Sequence, residues 1–532
     1  MSQPNPRTTV VLLGVFLLFL GIFPLFAQEK TGGTLVIAQP QEALALDPAL
    51  IQDMDSARVS VNIFETLLKF APNSEQIVPG LATSWDSFEE GRIWVFRLRK
   101  GVYFQDGTKF DGQSVKFNLE RQGFPVYSPY SSSSQVFSLW GALFNGFPGW
   151  IRNIDLLDQY TVKIVLTRPL SYFPRCLALP QFGMISPASA RKYAGKVYLN
   201  PVGTGPFKFK EWRKGQRVVL EANEKYWEGK PYLKQLIFQA VSGEEARTRQ
   251  LLRENAQLAY DLSYSSLNEI RKNRQFTTAP YPLPNLYFLA MNFRRSPLNY
   301  ELVRRALNYG INKRQIRDEV FSHQATIPNS VIHIQSLGHN ADISRYRYNP
   351  YRAYRLLSLA GYSGGITLNL LMPQTDNEGF SDVWKLARSI EKNLRQIGVR
   401  VKLVAKNQTE YLADLRTGNY DLALASWRGI RKINDDQLYY LFGRKGQIKG
   451  KAAYFGNARI EELFNTAWAN PNLEYRNRLY QKLEKILYEE SALIPLAYSK
   501  LYYGKIANLK GLYFYANTYL IFKDAYYLGS SQ

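Results

Sequence analysis

The chain has 532 residues, 45% of them hydrophobic and 21% charged, with a formal charge of +23 at neutral pH. At roughly 150 residues per domain this suggests about three folding units, and so large an apolar share excludes an intrinsically disordered chain. Cys176 is the only cysteine, which excludes an internal disulfide framework.

Residues 10–26 form an apolar run, VVLLGVFLLFLGIFPLF, preceded by Arg7, interrupted by Pro24 and followed by Ala27. A positive start, an apolar stretch and a small residue at the cut predict a secretory signal peptide over residues 1–27. Leu25 is large for its place two residues before Ala27, and the run approaches the roughly 20 residues of a spanning helix. A retained N-terminal anchor is therefore the alternative. No cysteine follows the run, so a bacterial lipid anchor is not expected. The body is expected in the periplasm or on the outer face of the cytoplasmic membrane.

Further along, TLVIA at 34–38, the segment 218–221 and VRVKLV at 399–404 read as strands, the last with Arg400 and Lys402 on the face opposite its valines. In residues 101–110, alternation around Asp106 and Gly107 predicts a hairpin. GTGPF at 203–207 places two flexible residues and a fixed-φ residue after an extended segment, which suits a tight crossing between sub-domains. Val303, Ala306, Leu307 and Gly310 share one helical face, as do Ala353, Leu356, Leu357 and Ala360. Leu386, Ile390, Leu394 and Ile397 make a third apolar stripe, which stops at Gly398 just before a strand. Helix, glycine turn and strand in that order predict a mixed α/β fold.

Nothing in the chain points to catalysis or to a cofactor. GxSxG, HExxH and GxxxxGK[ST] are absent. Glu89 with Glu90 and Asp435 with Asp436 are adjacent, so each pair points to different faces and cannot converge as acid and base. Of His323, His333 and His339, the last two lie in an irregular stretch where a satisfied or exposed histidine is expected, and no metal site is expected. Cys176, between Arg175 and Leu177, reads as core. Lysines and arginines are spread along the whole chain without a zinc-finger spacing or basic arm, so nucleic acid is not an expected partner.

A series of segments in order carries a resemblance. GGTLVIA (32–38), LDP (46–48), NIFETLL (62–68), GLATSW (80–85) and FRLRKGVYFQDGTKFDGQSVKFNLER (96–121) open the body. NPVGTGPFKFKEW (200–212), MNFRRSPLNYELVRRALNYGINK (291–313), NPYRAYRLLSLAGY (349–362) and LRTGNYDLALASW (415–427) follow. From about residue 32 to the C-terminus the chain resembles the family 5 extracellular solute-binding proteins, the peptide, nickel and oligosaccharide receptors of ABC importers. The resemblance implies an α/β, two-lobe fold of the periplasmic-binding-protein type II kind, with an inserted sub-domain in the first lobe. It implies a first lobe from 32–70 and 201–281, the insertion at 71–200, a second lobe at 282–494 and a return to the first lobe over 495–532. It further implies a monomer that passes its solute to a membrane permease complex.

One departure from the family stands out. Its peptide-binding members carry an Asp three positions after the tryptophan that aligns with Trp427, where it receives the ligand's ammonium group; here that place holds Ile430, between Arg428 and Arg431. An arginine that holds the ligand carboxylate in dipeptide receptors, just beyond a Met-Pro pair, is replaced near Met372 and Pro373 by QTDNEG, which offers Asp376. A buried Ile cannot compensate an ammonium ion, whose desolvation costs several kcal/mol. Trp427, Arg428, Ile430, Arg431 and Asp376 are thus the expected cleft residues, with Tyr127, Tyr130 and Trp140 as an aromatic cluster that could stack on a solute. The expected function is a receptor that traps a peptide-like, oligosaccharide or other anionic or polar solute. The alternatives are an envelope interaction protein that has lost solute binding and, further off, an exported glycosidase.

Overall fold

The computed structural model describes residues 30–51, 53–74, 76–124, 137–144, 146–193, 196–197, 200–282, 285–334, 338–375, 382–428, 438, 441–443, 457–470, 472–515 and 518–529. The larger strands in chain order are β1 (Thr34–Gln39), β2 (Ala82–Phe88), β3 (Ile93–Leu98), β4 (Ile151–Asp158), β5 (Thr161–Leu166), β6 (Phe207–Arg213), β7 (Arg217–Ala222) and β8 (Gln235–Ala240). They continue with β9 (Leu258–Leu262), β10 (Phe276–Pro280), β11 (Asn285–Met291), β12 (Ile366–Pro373), β13 (Val399–Lys406), β14 (Leu422–Arg428), β15 (Leu493–Ser499) and β16 (Tyr502–Ile506). Helices used below are α1 (Met54–Ser60), α2 (Gly112–Gly123), α3 (Glu301–Gly310), α4 (Lys313–Glu319), α5 (Pro350–Leu359), α6 (Val383–Arg395), α7 (Ala458–Ala469) and α8 (Leu473–Glu489).

A seven-stranded sheet in the order β10-β16-β9-β1-β8-β7-β6 frames one lobe, and a five-stranded sheet in the order β13-β12-β14-β11-β15 frames the other. Between β1 and β6 in sequence, an antiparallel sheet ordered β2-β3-β5-β4 forms the inserted sub-domain. Strand β11 shows how the second lobe is built. All seven of its residues are buried. Tyr287, Leu289 and Met291 feed one apolar cluster with α3 and α6, while Leu286, Phe288 and Ala290 feed another that runs on to α7, α8 and the inserted sheet. Burial on both faces is what a central strand under two helical layers requires.

The stripes expected from sequence form helices. In α6, Leu386, Ile390 and Leu394 are fully buried, and Gly398, at φ +84°, supplies the left-handed turn into β13. Val399 and Val401 of β13 face inward, whereas Arg400 and Lys402 are exposed. Around Gly107, Phe104 N donates to Thr108 O at 2.8 Å and Phe110 N to Val102 O at 3.0 Å, closing the hairpin. At 203–207 the glycines serve close approach: a Cβ on Gly203 would lie 2.1 Å from Ile63 O, and one on Gly205 2.6 Å from it. There the chain leaves the insertion, and Gln105 Nε2 donates to the carbonyls of Gly205 and Phe207 at 3.0 and 2.8 Å. The LDP and FNLER segments also meet, since Arg121 on α2 clamps Asp47 through bonds of 2.6 and 3.0 Å, with both side chains buried.

Two expectations need correction. The return to the first lobe, expected at 495, comes after Ser499, because β15 stays paired with β11, across a bulge at Leu496, from Pro495 opposite Phe288 to Ser499 opposite Asn285. Trp140, expected in a ligand-binding cluster, is 1% exposed and packs at 4.8 Å from Phe144 and 6.0 Å from Phe182, so it fills the core of the insertion.

In the second lobe, the irregular segments 326–334 and 338–346 are tied to α8 by the buried carboxyl of Glu484. It accepts from Ile332 N at 3.3 Å and Asn340 N at 2.6 Å, with His339 Nδ1 at 3.8 Å. Burial pushes this carboxyl up to about 7, the Asn340, Ser330 and Ile332 bonds offsetting only part of the effect. A folded pKa above the unfolded one favours folding while the group is protonated. Stability should therefore fall as pH rises from about 4.5 to about 7, by up to about 1.4 kcal/mol per pH unit. Glu484→Gln should flatten that slope in urea unfolding measured across the range; an unchanged slope would contradict the assignment.

Candidate ligand cleft

The two sheets meet in sequence where β10 ends at Pro280 and β11 begins at Asn285, and where β15 ends at Ser499 and β16 begins at Tyr502. These crossings lie side by side: Tyr281 N donates to Leu501 O at 2.9 Å, with Pro280 paired to Tyr502 before it and Asn285 to Ser499 beyond it. Two short connections side by side are the arrangement about which two lobes hinge.

Both sheets turn the same ends toward it. Strands β1, β8 and β9 run parallel, and the carboxyl-terminal Leu262 of β9 pairs with Tyr502 at the start of β16, next to the hinge. In the other lobe β12, β13 and β14 are parallel, and the carboxyl-terminal Arg428 of β14 pairs with Asn285, again next to the hinge. Ligands of open α/β sheets bind beyond the carboxyl ends of their parallel strands. Here two such edges face each other across one hinge.

The first-lobe edge rests on a buried ion network. Arg58 on α1 is fully buried; its Nη1 donates to Asp55 Oδ1 at 2.6 Å, and its Nη2 to both oxygens of Asp261 at 2.8 and 2.9 Å and to Tyr281 Oη at 3.2 Å. The guanidinium also lies 4.1 Å from the centre of the Tyr260 ring. Burial works against its charge, yet Asp261, Tyr281 and Asp55 together outweigh burial and raise its pKa well above an arginine's ordinary value. Arg247 holds the same strand end from behind, donating to the carbonyls of Tyr260, Val241 and Asp261 at 2.9, 3.1 and 2.9 Å. Asp55 in turn accepts from Gln41 N at 3.1 Å in the loop after β1.

The second lobe and the insertion also touch. Trp468 on α7 packs against Trp150 and Tyr172 of the insertion, with ring centres 5.5 and 5.9 Å apart. Ser171 Oγ donates to Trp468 O at 3.3 Å, and Arg168 to Asn465 Oδ1 and O at 3.2 Å each.

Of the residues expected in the cleft, Trp427 is half-buried on β14 opposite Leu286, and Arg428 ends the strand opposite Asn285. Met372 and Pro373 close β12 at the same edge. Ile430, Arg431, Asp376, Tyr127 and Tyr130 lie outside the described residues. Sequence reading missed Arg58, Asp261 and Tyr281, and also Trp150 and Trp468. A short-range signal existed for the first: Asp55 and Arg58 stand three apart on a helix all of whose residues are buried.

The family model described as bacterial extracellular solute-binding proteins, family 5, middle region, matches residues 76–450. The chain belongs to this family. As a family 5 solute-binding protein it is 28% identical over 521 residues to di/tripeptide-binding protein 2 of Pseudomonas aeruginosa, covering 95% of this chain and 97% of the relative. It is 26% identical over 539 residues to the glutathione-binding protein GsiB of Escherichia coli K12, covering 99% of each. Its fold matches the periplasmic binding protein DppA of Helicobacter pylori in complex with the peptide STSA, with a TM-score of 0.85, 26% identity and coverage of 94% and 99%. It also matches NikZ of Campylobacter jejuni in complex with Ni(L-His), with a TM-score of 0.78, 25% identity and coverage of 91% and 97%. This solute-binding protein is a substrate-binding receptor of the ABC-importer type. Among its described residues no helix is long and apolar enough to cross a membrane.

Removing one partner from a buried ion network leaves the other charges uncompensated, at a cost of about 3–5 kcal/mol. Arg58→Ala should lower the free energy of unfolding by that amount in urea titrations. A loss below about 1 kcal/mol would mean that Asp55 and Asp261 find other partners.

Proposed function

We propose that this receptor captures a solute carrying negative charge or many acceptor oxygens, peptide-like in the broad sense, between its lobes and passes it to a membrane permease. The observation that carries this reading is the place of Arg428, at the carboxyl end of β14 beside the hinge. The sequence that follows supplies Arg431 and Lys432 around Ile430, where peptide-binding members of the family carry an Asp. A cationic strand end without that carboxylate suits carboxylate or phosphate groups, which guanidinium recognises bidentately. Relatives named for glutathione and for di- and tripeptides support a peptide-like frame for the solute.

In this reading the first lobe is the seven-stranded sheet with the insertion at 71–200, and the second begins at the β10–β11 crossing. The receptor acts as a monomer outside the cytoplasmic membrane, uses no cofactor and catalyses no reaction. Its leader, residues 1–27, is removed on export.

Mass spectrometry of what co-purifies from the native source identifies the solute. Arg428→Ala and Arg431→Ala should each weaken its binding about ten- to a hundredfold, since a charge-assisted contact is worth about 1.5–3 kcal/mol, with little change in Tm. Di- and tripeptides with free termini should bind weakly in calorimetry. A micromolar Kd for one of them would overturn the anionic reading. No captured solute and no binding across a broad panel would favour a receptor frame kept for protein contacts.

A further inference from the structure

The second lobe carries a second cationic site. Asn312, Lys313, Arg314, Ile327, Arg345, Tyr346, Arg347 and Tyr348 surround a cavity of about 360 Å³. Four of these are cations, none is an acid, and none of the four takes part in an ion pair among the described residues. Lys313 is only 4% exposed, and its Nζ has no hydrogen-bond partner. Burial, helped by the nearby charge of Arg345, pushes its ammonium group down to about 7. A lysine stripped of water and left without an acceptor is unfavourable as it stands and becomes favourable when an anion enters.

The walls are held from outside the cavity, so the cations do not collapse onto neighbouring carboxylates. Tyr346 Oη donates to Tyr488 O at 3.1 Å and accepts from Ser491 Oγ at 2.9 Å. Tyr348 Oη donates to Gln396 Oε1 at 2.5 Å, and Asn349 N to Tyr309 O at 2.9 Å. On the other wall, Asn312 N donates to Asn393 Oδ1 at 2.6 Å. Gln396 and Asn393 lie at the end of α6 that leads into the start of β13, and Ser491 just precedes β15. The cavity thus reaches the amino ends of the parallel strands on one side, while its Ile327 wall follows Thr326, which is bridged to Tyr498 of β15.

We propose that this cavity binds a phosphoryl group, with Lys313 as its buried point charge and Arg314, Arg345 and Arg347 as the surrounding donors. A single carboxylate would offer too little charge for four cations, whereas a phosphate brings about −1.5 to −2 and several acceptor oxygens. The volume leaves room for the group to which the phosphate is attached, so a phosphorylated solute and a phospholipid headgroup share the required chemistry. The proposal stands apart from the cleft reading and survives if that reading fails.

The test uses the exported chain with inorganic phosphate in calorimetry at constant ionic strength set by chloride, and sedimentation with phosphatidylglycerol or phosphatidylcholine vesicles. Phosphate should bind with a Kd below about 1 mM, about −4.1 kcal/mol or better. Lys313→Met, and separately the pair Arg345→Gln with Arg347→Gln, should each weaken it at least tenfold, while Lys402→Gln on the exposed face of β13 changes it less than twofold. Should Lys313→Met fail to fold, the arginine pair carries the test, since neither side chain is buried. Phosphate binding without vesicle binding assigns the site to a free phosphorylated solute. Binding to phosphatidylglycerol vesicles alone, lost in the same variants, assigns it to a headgroup. Either result supports the proposal; it is overturned if neither probe binds, or if the variants leave binding within twofold.

Discussion

Arg58 is a charged side chain with no access to water, and the arrangement of the first lobe around the hinge depends on its being neutralised in place. Removing an ion from water costs several kcal/mol, and the geometry must return that through charge-assisted bonds. The return comes from three elements far apart in sequence: Asp55 on α1, Asp261 at the end of β9 and Tyr281 at the crossing. Asp261 meets its part with φ at +55°, a conformation that costs a non-glycine residue about 1 kcal/mol or more. Because Tyr281 also pairs with Leu501 through its backbone, the network fixes one wall of the hinge to the sheet beneath it. The pivot is thereby anchored on the first-lobe side.

Local periodicity made much of the fold legible. The stripes of α3, α5 and α6, the strand at β13 with its exposed Arg400 and Lys402, and the turn at Gly107 all follow from residues within a few positions of each other. Ordered motifs carried the family, because LDP, FNLER, NIFETLL and GTGPF are the segments where distant pieces lock together: Asp47 to Arg121, and Gly203 and Gly205 against Ile63. What sequence could not supply were partners set by topology. Arg58 and Asp261 stand 203 positions apart. Trp140 has the composition of a stacking residue and the environment of a core one, and only the packing of Phe144 and Phe182 distinguishes the two. The boundary at Ser499 depends on how many residues of β15 find register with β11, which no property of PLAYS by itself dictates.

The excess positive charge is not uniform in its consequences. Arg317 and Arg305 have carboxylates at their side and add little beyond solubility. In the second lobe, by contrast, Lys313, Arg314, Arg345 and Arg347 line one cavity that has no acid in its lining, and the sequence after Arg428 adds Arg431 and Lys432. A net charge of +23 also draws anions toward the molecule before any contact forms.

Trp468 of α7 meets Trp150 of the inserted sub-domain. Trp468 is now 4% exposed, held at 5.5 Å from a second indole. Opening about the hinge would separate the two rings and admit water to both, and indole emission shifts toward longer wavelength as its surroundings become more polar. If the lobes part at this contact, indole emission reports closure in solution without any attached dye, whichever solute draws them together.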